Sequence, residues 1–132
     1  MTKKFLSVFL AILMLIMMPL GVSAETAVQP RYTYTGSHST TLFIQNNTAI
    51  VESVISGYST VTSVKMTLTL QKKVLWWWDD VAEWSDITPN RTLEMSESTT
   101  VGSGTYRAKM VAVVCSGTES ETIEGYSSEK TN

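Results

Sequence analysis

The chain has one cysteine, Cys115, and one histidine, His38, in 132 residues. A lone Cys excludes an intramolecular disulfide. One His and one Cys are too few for a tetrahedral zinc site, and the alternating acidic loop that holds calcium is missing. No metal and no cofactor is expected. A Gly-x-Ser-x-Gly elbow is also lacking, and a Ser-His-Asp set would have to recruit His38 from the amino-terminal edge of the domain. His38 therefore reads as a solvated loop or edge side chain, and no catalytic residue is assigned. Lys and Arg never form a run, and the net charge is −2. That argues against nucleic acid, whose phosphates need clustered cations, and against electrostatic docking on anionic lipid. Gly102-Ser103-Gly104 leads into a strand pattern, with no helix N-terminus to cradle phosphate.

Long apolar runs are scarce too, with one exception. Lys3-Lys4, an apolar stretch from Phe5 to Leu20 and Gly21-Val22-Ser23-Ala24 have the three parts of a secretory signal peptide, cleaved after Ala24. The expected organisation is a signal peptide over 1–24, a short tail over 25–30 and a single domain over 31–132. The mature chain is expected outside the cell, soluble and without stable membrane insertion, since no second apolar segment follows. It keeps 8 basic against 12 acidic side chains. Cys115 has no His or Lys within five residues to lower its pKa, so a nucleophilic thiolate is not expected.

What is abundant is Ser and Thr, close to a third of the residues from Glu25 onward. Thr interleaved with Val, Ile and aromatics suits half-solvated strands, where β-branched side chains pack well on the pleat. Thr40 to Gln45 reads as a strand after a break at Gly36-Ser37. Asn46-Asn47 turns the chain into a second strand, about Thr48 to Ser56, ambiguous in facing, with Ala49, Val51 and Ile55 on one side and Ile50 and Val54 on the other. The clearest alternation is Val64, Met66, Leu68 and Leu70 against Lys65, Thr67, Thr69 and Gln71, one buried face and one wet face. Trp78 to Ser85 should return antiparallel, Val81 and Trp84 packing, with a bulge near Asp79-Asp80. A loop over Asp86 to Asn90 and a strand over Arg91 to Glu97 follow. The longest strand alternates Tyr106, Ala108, Met110, Ala112 and Val114 with Arg107, Lys109, Val111, Val113 and Cys115. A last strand covers Thr122 to Tyr126. The expected fold is all-β, a single antiparallel β-sandwich of about seven strands.

Gly104-Thr105-Tyr106-Arg107-Ala108 resembles the start of strand F in immunoglobulin-like domains, with Ala108 where antibody-type domains carry Cys. The resemblance implies a disulfide-free immunoglobulin-like sandwich in which Tyr106 is the corner tyrosine, its hydroxyl bonded to upstream backbone. Leu68-x-Leu70-Gln71-Lys72-Lys73, Trp78-x-x-Val81-x-x-Trp84 and Gly104-Thr105-Tyr106-Arg107, with Arg31-Tyr32 and Gly57-Tyr58-Ser59, are similar to a family of short secreted Gram-positive bacterial proteins. That family's function is unknown, so the resemblance implies a fold and an address without an activity.

A plain sandwich does not require Val74-Leu75-Trp76-Trp77-Trp78. The segment falls where a hairpin loop should carry Gly, Asn or Asp to reach positive φ, and where the similar family often has Ser and Gly. Consecutive Trp residues alternate faces, so if Trp78 goes in, Trp77 goes out and Trp76 sits at the tip or edge. Leu75, Trp76 and Trp77 are the candidate contact residues; Tyr106, Trp78 and Trp84 are assigned structural roles. The acidic groups Asp79, Asp80, Glu83, Asp86 and Glu119, Glu121, Glu124 read as charged edge residues that block sheet-to-sheet aggregation. The leading function is a non-catalytic module contacting another protein or a second copy of itself, the latter through Cys115 or the Val111/Val113 face. A glycan-binding module using exposed Trp and Tyr is the alternative, and a carboxylate-based hydrolase a distant third.

Overall fold

Residues of period-two hydropathy bury one face of a pleated strand and leave the other to solvent, and two such sheets close on each other. The computed structural model of the chain describes residues 32–132 and follows this rule. The segments expected to form a signal peptide and a tail, and Arg31, lie outside the described residues. Eight strands run in order: β1 (Thr35–Gln45), β2 (Thr48–Gly57), β3 (Ser63–Val74), β4 (Trp77–Thr88), β5 (Thr92–Thr100), β6 (Thr105–Ser116), β7 (Glu119–Tyr126) and the two-residue β8 (Lys130–Thr131). Among the described residues there is no helix. All ladders are antiparallel, in two sheets of order β1-β2-β5 and β4-β3-β6-β7, with β8 also on β6. The chain crosses between sheets after β2, after β4 and after β5, the connectivity of an immunoglobulin-like sandwich.

The core lies between the sheets. Val64, Met66, Leu68 and Leu70 of β3 meet Ala108, Met110, Ala112 and Val114 of β6 across the ladder, all fully buried. Leu42, Ala49, Val51, Ile55, Leu93 and Met95 close over them from the other sheet. Each large aliphatic side chain buried this way is worth roughly 1.5–3 kcal/mol. With no disulfide, this packing carries the fold.

Several local expectations need correction. Gly36-Ser37 is no break: β1 begins at Thr35, and the register slips once between Thr35 and Ser37, a bulge inside a continuous strand. The wet face of β3 is partly dry, Thr69 and Gln71 being buried, because β3 is central, between β4 and β6. β4 extends through Asp86 to Thr88, and the slip in its register falls at Val81, which leaves that side chain exposed instead of packed. Val111, Val113 and Cys115 are half-buried on the outer face of β6.

The entry into β1 is held by Glu121 of β7. Its carboxylate accepts from the Tyr34 backbone N–H at 2.7 Å, the Thr33 N–H at 2.8 Å and the Thr35 hydroxyl at 3.0 Å. Glu119 accepts the Tyr34 hydroxyl. These acids therefore fasten one sheet to the other, a role beyond guarding an edge.

Candidate functional site

The β3–β4 hairpin outruns the sheet that carries it. The β3–β6 ladder ends at Lys72↔Tyr106, whereas β3–β4 pairing continues to Val74↔Trp77. The tip thus projects without a third strand to cover it. Its two-residue loop is Leu75-Trp76, and Leu75 sits at φ 56°, the left-handed region that costs an L-residue roughly 1–2 kcal/mol. In two-residue hairpin loops with positive φ at the first position alone, Gly is the usual occupant. Here the register is set by cross-strand pairs below the turn: Lys72 faces Asp79, and Lys73 lies 5.9 Å from the Trp78 ring.

Exposure peaks at this tip. Leu75 is 71% exposed, Trp76 83% and Trp77 41%. The rings of Trp76 and Trp77 meet edge to face, 5.2 Å between centroids and 81° between planes. The Trp77 indole N–H donates to Asp79 Oδ1 at 3.2 Å, which fixes one ring, while Trp76 stands over it. Leu75, Trp76 and Trp77 are brought together as one apolar surface.

Trp78 belongs to a different surface. It lies half-buried on the outer face of the larger sheet, its ring 4.3 Å from the Arg107 guanidinium, which is 4.4 Å from Tyr126 on the other side. Arg107 Nε donates to Gln71 Oε1 at 2.8 Å, and Gln71 Nε2 donates to Asp80 Oδ1 at 2.9 Å. A row Asp80–Gln71–Arg107 crosses three strands and stiffens the base of the hairpin. Arg107 is the hub, a residue that the sequence marks only by its place in the β6 alternation and in the motif Gly104-Thr105-Tyr106-Arg107. Glu124 at the end of this array accepts the Tyr126 hydroxyl and pairs with Lys109 at 3.8 Å. Trp84 is half-buried against the core.

The floor beneath the tip is braced as well. Tyr106 is buried and its hydroxyl donates to the Gly102 carbonyl at 2.9 Å. Asn132 Nδ2 donates to that same carbonyl and to Asn47 Oδ1, each at 3.0 Å.

The remaining ionisable groups do not converge. Asp79 and Asp80 serve Trp77 and Gln71 on opposite faces of β4, and Asp86 accepts the Ile87 N–H at 2.8 Å. His38 is half-buried on edge strand β1, not in a loop. It meets the Tyr32 ring edge-on at 5.7 Å and lies against Gly125. Among the described residues no group of three His, Cys, Asp or Glu side chains is placed to hold a metal.

No known protein-family model matches the chain. No curated protein matches it either. Among solved structures, wild-type OgpA from Akkermansia muciniphila superposes with a TM-score of 0.41 at 10% identity, over 82% of this chain and 33% of that one. Catalytically inactive OgpA in complex with an O-glycopeptide substrate gives a TM-score of 0.40 at 10% identity, over 82% and 34%. The chain spans about a third of the OgpA chain. Likeness at this level assigns it no activity.

Proposed function

We propose that the chain is a secreted, non-catalytic sandwich module that acts by seating the tip of its β3–β4 hairpin in an apolar pocket of another protein. The observation that carries this reading is Leu75, held at positive φ with its side chain in solvent beside a more exposed Trp76. Backbone strain that displays oily side chains is destabilising twice over, and strain of this kind concentrates at binding and switch sites. Trp is among the residues most enriched in interface hot spots, where it fills a well-packed pocket ringed by contacts that exclude water.

The angle between the rings favours protein over glycan. A sugar platform needs exposed rings lying in one plane, and Trp76 and Trp77 stand at 81°.

The test is a photo-cross-linking residue at position 76 of the full chain, applied in the culture where it is secreted, beside a polysaccharide and cell-wall binding panel. A discrete protein adduct is expected, competed by unlabelled chain and reduced at least tenfold by Trp77→Ala. Trp76→Ala itself should shift stability by less than about 0.5 kcal/mol, as for an exposed side chain. Binding to a purified glycan that both Trp76→Ala and Trp77→Ala abolish would replace this reading with the saccharide one.

A further inference from the structure

We propose that the free edge of β1, with the acidic groove beside it, takes up an extended basic peptide as an added strand. This site is separate from the hairpin tip and stands on different residues.

The first observation is an unguarded edge. β1 ends the order β1-β2-β5, and β2 is its only ladder partner among the described residues. From Ser37 to Gln45 it pairs with β2 without a slip. In an antiparallel ladder alternate residues turn their N–H and C=O away from the partner, so β1 offers a regular row of backbone groups that no described residue pairs. Sheet edges are commonly blunted by charge, proline or a bulge. The other three edges carry such guards: Asp79, Asp80, Glu83 and Asp86 with a bulge on β4, Glu94 and Glu97 on β5, and Glu119, Glu121 and Glu124 on β7. β1 has no Lys, Arg, Asp or Glu and no proline, and its one bulge lies at its start.

The second observation is the charge of the adjoining face. A groove of about 330 Å³ opens on the outer side of this sheet, lined by Ser39, Thr41 and Phe43 of β1, Glu52 of β2, and Glu94 and Ser96 of β5. Neither glutamate has a hydrogen-bond or ion-pair partner among the described residues. No Lys or Arg lies on β1, β2 or β5. Strands in a sheet are about 4.8 Å apart, so Glu52 lies about two spacings from a strand added at β1. A Lys on that strand lays its alkyl stem across Thr41 and Phe43 and brings its ammonium toward Glu52, with Glu94 adding to the field. Backbone pairing supplies the affinity of strand addition and the alternate side chains its selectivity; here the selected side chain is a cation.

Three labelled heptapeptides titrated against the full chain by fluorescence anisotropy test this. They are Lys-Val-Lys-Thr-Lys-Val-Lys, the same peptide N-methylated at alternate backbone nitrogens, and a version with Glu for Lys. The first is expected to bind and to protect β1 amides from hydrogen exchange. N-methylation, the Glu version, and the double variant Glu52→Gln with Glu94→Gln should each weaken binding at least tenfold, circular dichroism showing the variant folded. N-methylation without effect overturns strand addition, and a double variant that binds as well as the native chain overturns the acidic groove. Self-association of the peptide-free chain through β1, seen by sedimentation and β1 amide protection, would make a second copy the occupant and end the proposal.

Discussion

Asn46-Asn47 and Leu75-Trp76 both close antiparallel hairpins with two residues. Asn46 and Asn47 stand at φ 51° and 59°, and Leu75 at φ 56°. Asn tolerates this region because its short polar side chain bonds locally, and positive φ at both positions is what type I′ hairpins use. Leu has no such compensation. The asparagine turn is also tied down: the Val101 N–H donates to the Asn47 carbonyl at 2.8 Å, and Asn132 reaches its side chain. Beyond its last pair the leucine turn depends on the hairpin below it. One turn is chosen for closing a strand pair, the other for what it shows to solvent.

That contrast is open to three measurements. The largest effect is expected from Asn46→Val with Asn47→Val, which puts β-branched side chains at two left-handed positions and should cost about 2–4 kcal/mol in urea unfolding. A loss under about half a kcal/mol would mean the asparagines are not chosen for their backbone. The reverse change, Leu75→Asn, should raise stability by about 1 kcal/mol and Tm by roughly 4–8 °C, while weakening the partner contact. An unchanged or lower Tm would remove the strain on which the proposed function rests.

The smallest effect comes at high pH. The hydrogen bond to Glu119 raises the Tyr34 pKa above its ordinary value, and the hydrogen bond to Glu124 does the same for Tyr126, partly opposed by Arg107. Groups with raised folded-state pKa contribute fully below their unfolded value, about 10, and lose that contribution as pH rises through the folded one. Neither turn contains a titrating group. The native chain and both variants should therefore weaken in parallel above about pH 10, with their differences constant. Differences that change with pH would show that the turns are coupled to these tyrosines.

Much of the sandwich was legible because hydropathy of period two speaks directly to burial. Val64 to Leu70 and Tyr106 to Val114 fall on the core face residue by residue. The Asn46-Asn47 turn was legible from residue type alone. Misreadings arose where position in the sheet overrode local pattern. Gln71 and Thr69 look wet in sequence, but they sit on a central strand, and Gln71 is held under Arg107. Gly36-Ser37 looks like a break, yet one bulge absorbs it. Of the candidate site, the cluster Leu75-Trp76-Trp77 was visible by its oddity in a turn. Its exposure was not, because that depends on β6 ending two pairs earlier than β4 along β3, a fact of register between strands far apart in sequence. The stacking of Arg107 between Trp78 and Tyr126 was hidden for the same reason.

Cys115 pairs with Ser63 at the opposite end of β3 from Val74, and a strand of twelve residues rises roughly 36 Å between those ends. A covalent bond between two copies at that sulfur would leave both tips free and well separated. Such a pair would be bivalent, and linkage alone raises avidity by about 10²–10⁴ when both sites of a partner are within reach. Reductant would then lower the valence from two to one without altering either tip.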